Sequence, residues 1–164
     1  MDVSFDSSTL ILLAKTDLLR LVTDDFGVLI HHAVKEECLA KDSFDSRMIS
    51  ALITEMKIDV RKIARRATVV RLSADFRLHR GEAEALTLAI EQKISLAADD
   101  LPAIKACRIL NVNFVTAIHF LIALYEKRKI TAQVALAKLD ILSFYGRYNK
   151  RILDDARERL KGGR

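Results

Sequence analysis

Acidic residues recur in this chain where it leaves an apolar run or enters a helix. They are Asp6 in "SFDSS", Glu37 in "VKEEC", Glu82 and Glu84 in "GEAEAL", and the neighbours Asp99 and Asp100 in "SLAADDLP". Singly, each reads as a helix cap or a first-turn acid stabilised by the helix dipole. Together they imply different chemistry. Carboxylates crowded into one cleft repel, and some keep their protons unless a cation joins them. A hard divalent ion such as Mg²⁺ prefers oxygen donors and keeps several waters, so a few carboxylates from separate elements suit it. An ion so held can orient a phosphodiester, stabilise its developing charge and help activate water.

Whether the acids meet depends on the elements that carry them. "DVSF" is β-prone, and "DSSTLILLAK" opens with small polar residues that cap a helix. "FGVLIHH" at 26–32 reads as a buried strand and "AVKEECLAK" as a short helix. Residues 43–66 show helical periodicity, with Met48, Ile49, Leu52, Ile53 and Met56 on one stripe. "ATVVRLS" at 67–73 reads as a further strand. "GEAEALTLAIEQK" at 81–93 is a helix rich in Ala, Leu and Glu. "ISLAA" is a strand, "LPAIKACRIL" a helix with Pro near its start, and "VNFVT" another strand. "AIHFLIALYEKRK", "TAQVALAKLDILSFY" and a basic terminal segment follow as helices.

Alternation of strand and helix up to about residue 127 predicts an α/β domain with three layers, α/β/α, around a parallel sheet. Residues 128–164 are expected to form a helical extension packed on, or projecting from, a domain of residues 1–127. In open sheets of this kind, ligands gather beyond the carboxyl ends of the strands. Asp6, Glu37, Glu82 and Asp100 would all lie at that edge.

Composition narrows the class. The chain has 164 residues, 51% of them hydrophobic, with one Pro and five Gly. That suits one globular core and not a turn-rich all-β design. "FLIALY" is too short to span a bilayer, and "MDVSFDSS" carries acid where a secretory leader carries base, so a cytoplasmic location without membrane attachment is expected. Cys38 and Cys107 lack metal or disulfide spacing. Net charge is +5, with two basic clusters, "RKIARR" at 61–66 and the segment from Arg147 onward. Either can be a solvated face or a nucleic-acid contact. No Walker or dinucleotide fingerprint and no nucleophile elbow occurs.

The order and spacing of "FDSSTLILLAK", "VLIHHAVKEE", "GEAEALTLAIEQKISLAADDLPAIKAC" and "VNFVTAIHFL" resemble the PIN-domain ribonucleases, most closely the VapC-like toxins. In that pattern Asp6 matches the Asp after the first strand, and Val34 with Glu37 matches the Val-x-x-Glu after the second. Glu82 matches the acid opening a long helix, and Asp100 the last Asp. Glu84 stands roughly 200° around the helix from Glu82, and family spacing prefers Glu82. It likewise prefers Asp100 over Asp99, which remains as a supporting group. Ala98 departs from the pattern, which often has Thr or Ser there. The resemblance implies a Mg²⁺- or Mn²⁺-dependent endoribonuclease acting on RNA, commonly a homodimer and commonly silenced by a cognate antitoxin protein. The alternative is a catalytically silent PIN-fold module that binds RNA or protein.

Overall fold

The computed structural model describes residues 1–162. Five strands form a wholly parallel sheet in the order β3-β2-β1-β4-β5: β1 Asp2–Phe5, β2 Gly27–His31, β3 Ile58–Arg61, β4 Ser95–Ala97 and β5 Phe114–Val115. Parallel pairing demands crossovers, and helices supply them. They are α1 Ser7–Lys15, α2 Leu19–Asp25, α3 His32–Leu39, α4 Phe44–Thr54, α5 Arg66–Phe76, α6 Arg80–Gln92, α7 Leu101–Leu110, α8 Ala117–Glu126, α9 Ala132–Tyr145 and α10 Lys150–Leu160. The result is the expected three-layer α/β/α architecture.

The central strand β1 is buried over Val3, Ser4 and Phe5. Phe5 stacks on Phe120 of α8 at 5.2 Å between ring centroids, and Phe26 meets the same ring edge-on at 5.1 Å. Pairs of this kind contribute about 1 kcal/mol each beyond their burial. Helix α6 is buried continuously from Gly81 to Ala89, as expected of a helix small and apolar on nearly every side. Its alanines allow a close approach to β1, where the Ser4 hydroxyl donates to Ala85 O at 2.8 Å. Helices α9 and α10 pack on α8. Leu139, Leu142, Ala156 and Leu160 are buried in the same apolar cluster as Phe5 and Phe120.

Two expectations are corrected. Residues 67–73 lie inside helix α5, not in a strand. Val-Val favours β locally, but Val69, Leu72 and Phe76 recur at helical spacing and pack together against the core, and tertiary burial outweighs propensity. The helix expected over 43–66 stops at Thr54, where Met56 adopts a left-handed φ of 56°. Ile58, Asp59, Val60 and Arg61 then alternate inward and outward as edge strand β3, a period-2 pattern masked by the stripe before it. Helix α2 was also not anticipated.

Candidate active site

The carboxyl edge of the sheet is built outward from β1. Asp6 directly follows Phe5 and continues the pairing, its amide donating to Ala97 O at 3.2 Å. Its side chain caps α1: Oδ1 accepts from Thr9 N at 2.8 Å and Oδ2 from the Ser8 hydroxyl at 3.1 Å. Caps ordinarily sit in water, whereas Asp6 is wholly buried. Burial therefore pushes its carboxyl up to about 7, and the nearby Asp99 charge adds to the rise while Thr9 and Ser8 oppose it.

Asp99 is gripped by three separate parts of the chain. The Thr9 hydroxyl donates to Oδ2 at 3.0 Å, the Ala117 amide opening α8 donates to the same oxygen at 3.1 Å, and the Tyr148 hydroxyl donates to Oδ1. Burial still raises its pKa, with Asp100 adding repulsion. Burial and then the Asp99 charge hold the Tyr148 proton far above the usual phenol range, so Tyr148 remains a donor. Thr9 thus links Asp6 to Asp99. With Ala98 lacking a hydroxyl, Thr9 is a side chain that brings one to this pair.

Asp100 is the N-cap residue of α7, yet its side chain makes no capping bond. It lies near Glu82, whose pKa is raised by burial first and then by Asp100 and Glu37, against the lowering effect of the His79 amide, which donates at 2.9 Å. Glu37 accepts from the Ser7 hydroxyl at 2.6 Å and from Gly81 N at 3.1 Å. Glycine permits that approach, for a Cβ at residue 81 would stand 2.7 Å from the Glu37 carboxyl carbon and push the carboxyl aside. Asp6, Asp99, Asp100, Glu82 and Glu37 therefore form a chain of neighbouring acids along one edge. Glu84 turns elsewhere, to His31 Nδ1 and to Arg80 Nε at 3.0 Å.

None of the five edge acids forms an ion pair among the described residues. Nor do three His, Cys, Asp or Glu side chains come close enough together, among the described residues, to enclose an ion. The all-oxygen, mutually repelling donor set nonetheless has the chemistry of a Mg²⁺ or Mn²⁺ site, since Mg²⁺ is commonly held by one or two carboxylates with waters completing its shell. Beside the acids lies a cleft of about 330 Å³ that includes Ser8, Lys15, Asp99, Asp100, Tyr145 and Arg147. Lys15 Nζ sits 5.0 Å from the centre of the Tyr145 ring.

Sequence reasoning pointed to Arg147 as the start of a basic segment and did not single out Thr9, Gly81, Tyr145 or Tyr148. Gly81 carried a faint signal, a glycine at the mouth of a helix. Tyr148 carried none, for it reaches Asp99 across 49 residues of chain.

A parallel sheet with acids gathered beyond its central strands defines an α/β domain with a candidate ligand site at its carboxyl edge. Residues 2–161 match the PIN-domain family, and the chain belongs to it. The matched span takes in α9 and α10. A search of curated proteins finds no match. PIN domains are generally hydrolytic nucleases that use divalent metals. No helix among the described residues is long and apolar enough to cross a membrane.

Proposed function

We propose that this chain is a Mg²⁺- or Mn²⁺-dependent endoribonuclease whose metal would sit along the row Asp6, Asp99, Asp100, Glu82 and Glu37, taking one or two of these carboxylates at a time with waters completing its shell. One observation carries the reading: a row of acids at the carboxyl edge, two of its members buried, with no side-chain cation paired to any of them among the described residues. When bound there, the ion supplies Lewis-acid stabilisation of the phosphodiester and activation of the attacking water. The protein's own groups do the positioning. Thr9, Ser8, Ser7 and Tyr148 fix the carboxylate rotamers through hydroxyl donors. Asp6, with its pKa about 7, holds its proton or releases it near neutrality. Lys15 and Arg147 offer positive charge to the RNA backbone in the adjoining cleft.

The test is cleavage of a labelled RNA with Mg²⁺, with EDTA, and by Asp6→Asn. Cleavage that needs metal and disappears in the variant supports the assignment. Cleavage persisting in excess EDTA would refute it, and RNA retained without turnover would make the chain a binding module. The VapC-like toxin role, the homodimer, the cytoplasmic location and the cognate antitoxin belong to the same reading. Growth arrest on expression of the wild type, but not of Asp6→Asn, tests the toxin role. Light scattering tests the dimer.

A further inference from the structure

The two basic clusters of the sequence have different electrostatic surroundings. On α10, Lys150 pairs with Asp154, Arg157 with Asp140 and Asp154, and Arg159 with Glu126, while Arg151, unpaired among the described residues, shares a hollow with Asp154, Asp155 and Glu158. In the other cluster Arg61 pairs with Asp59, while Lys62 and Arg66 have no ion-pair partner among the described residues. These two free cations open onto a cavity of about 960 Å³ shared with His31, His32, Arg80 and Glu84. Its position follows from the topology. His31 ends β2, Lys62 follows β3, and Arg80 begins α6 one residue before the glycine that touches Glu37. The cavity therefore lies on the same edge of the sheet as the acids, on the β2–β3 side, while the Lys15–Arg147 cleft lies beside Asp99 and Asp100, which follow β4. Val69 and the strongly exposed Val70 form an apolar wall to it.

We infer that this cavity binds the phosphodiester backbone of the substrate RNA on one side of the scissile bond, with Lys62 and Arg66 contacting phosphates and the Val69–Val70 wall lying against sugars or bases. The inference rests on the ribonuclease reading for the identity of the strand. The surroundings favour this cluster over α10, where Lys150 and Arg151 open onto a hollow shared with Asp154, Asp155 and Glu158, acids that would repel a phosphate backbone.

Fluorescence anisotropy with a short single-stranded 2′-O-methyl oligoribonucleotide, titrated against KCl in EDTA, reads the contact without metal-dependent cleavage. The double substitution Lys62→Gln/Arg66→Gln should weaken binding and flatten the dependence of log Kd on log salt by about 0.7 per cation removed. Lys150→Gln should leave the slope unchanged. Both cavity side chains are exposed, and a melting curve overlying that of the wild type confirms folding. An unchanged slope in the double variant overturns the inference and leaves the cavity to a protein partner. An equal fall with Lys150→Gln also overturns it, since the contribution would then be diffuse charge. Failure of the two readings is separable. Loss of slope without RNA cleavage by the wild type keeps the contact and removes the nuclease. Metal-dependent cleavage with an unaltered slope and KM in the double variant does the reverse.

Discussion

Substituting Asp6 by Asn should make the metal-free protein more stable at alkaline pH while removing its metal-dependent activity. In the folded chain Asp6 keeps its proton up to about pH 7, whereas an unfolded Asp loses it near 3.8. Between those values the native state binds more protons than the unfolded state, so stability falls as pH rises and levels off above about 7. The shift of roughly three pH units corresponds to a cost of about 4 kcal/mol for ionising the buried group, an upper bound on what Asn recovers. For a domain of this size that is roughly 10 °C in melting temperature. Asn keeps an oxygen for Thr9 N and carries no charge against Asp99. Thermal melts in EDTA from pH 5 to pH 8.5 should show the variant ahead throughout, by about 1.5 kcal/mol at the acid end and by the full margin at the alkaline end. Excess Mg²⁺ at pH 8 should raise the wild type, through preferential binding to the native state, and leave the variant unmoved. Parallel melting curves across the whole range would refute the reasoning, for Asp6 would then ionise freely and need no cation.

Gly81→Ala forces a Cβ against the Glu37 carboxyl. The Glu37 side chain should swing aside and lose its bond to Gly81 N, changing urea unfolding by about 1 kcal/mol or less while depressing cleavage. Tyr148→Phe removes the hydroxyl that donates to Asp99. Calorimetric titration should show Mn²⁺ affinity falling about ten- to a hundredfold, the usual effect of losing a group that orients a metal ligand, and unchanged affinity would exclude Tyr148 from the site. Leu139→Ala empties a fully buried position on α9 and should cost about 2–5 kcal/mol in one cooperative transition. A separate, earlier transition would instead make residues 128–162 an independent appendage.

The alternation of strands and helices was legible because each buried strand is a short apolar run closed by a polar residue, as "ISLAA" is by Asp99. The order of the acids along the chain was legible for the same reason: a residue just past such a run falls at the carboxyl edge. The edge strand β3 was not, since its four residues follow a helical stripe of which Val60, four residues beyond Met56, reads as a continuation. Nor was α5, whose two valines speak for a strand when taken without Leu72 and Phe76. What holds the acids was least legible. Adjacent Asp99 and Asp100 are separated in the sequence by family spacing alone, and become physically distinct through Thr9, Ala117 and Tyr148 on one side and Glu82 on the other. Those partners are set by packing of the whole domain, which no local pattern encodes.

The distribution of charge is the strongest physical reason for placing function at this edge. The chain carries 27 Lys and Arg against 22 Asp and Glu, so cations are not scarce. They neutralise peripheral acids: Asp17 by Lys138, Asp25 by Lys127 and Lys129, Glu55 by Arg20 and Glu126 by Arg159. Asp6 and Glu82 are buried and Asp99 partly so, where an unpaired carboxylate is costly, and all three have raised pKa values. A fold that pairs the buried Glu84 with Arg80 and His31 but leaves Asp6 and Glu82 without a cation keeps a local conflict that stability alone would have removed, for instance by Asn at residue 6. Such conflicts concentrate where a site must act on something outside the protein. Here the missing charge is positive and the donors are oxygens, which is the specification of a hard metal ion.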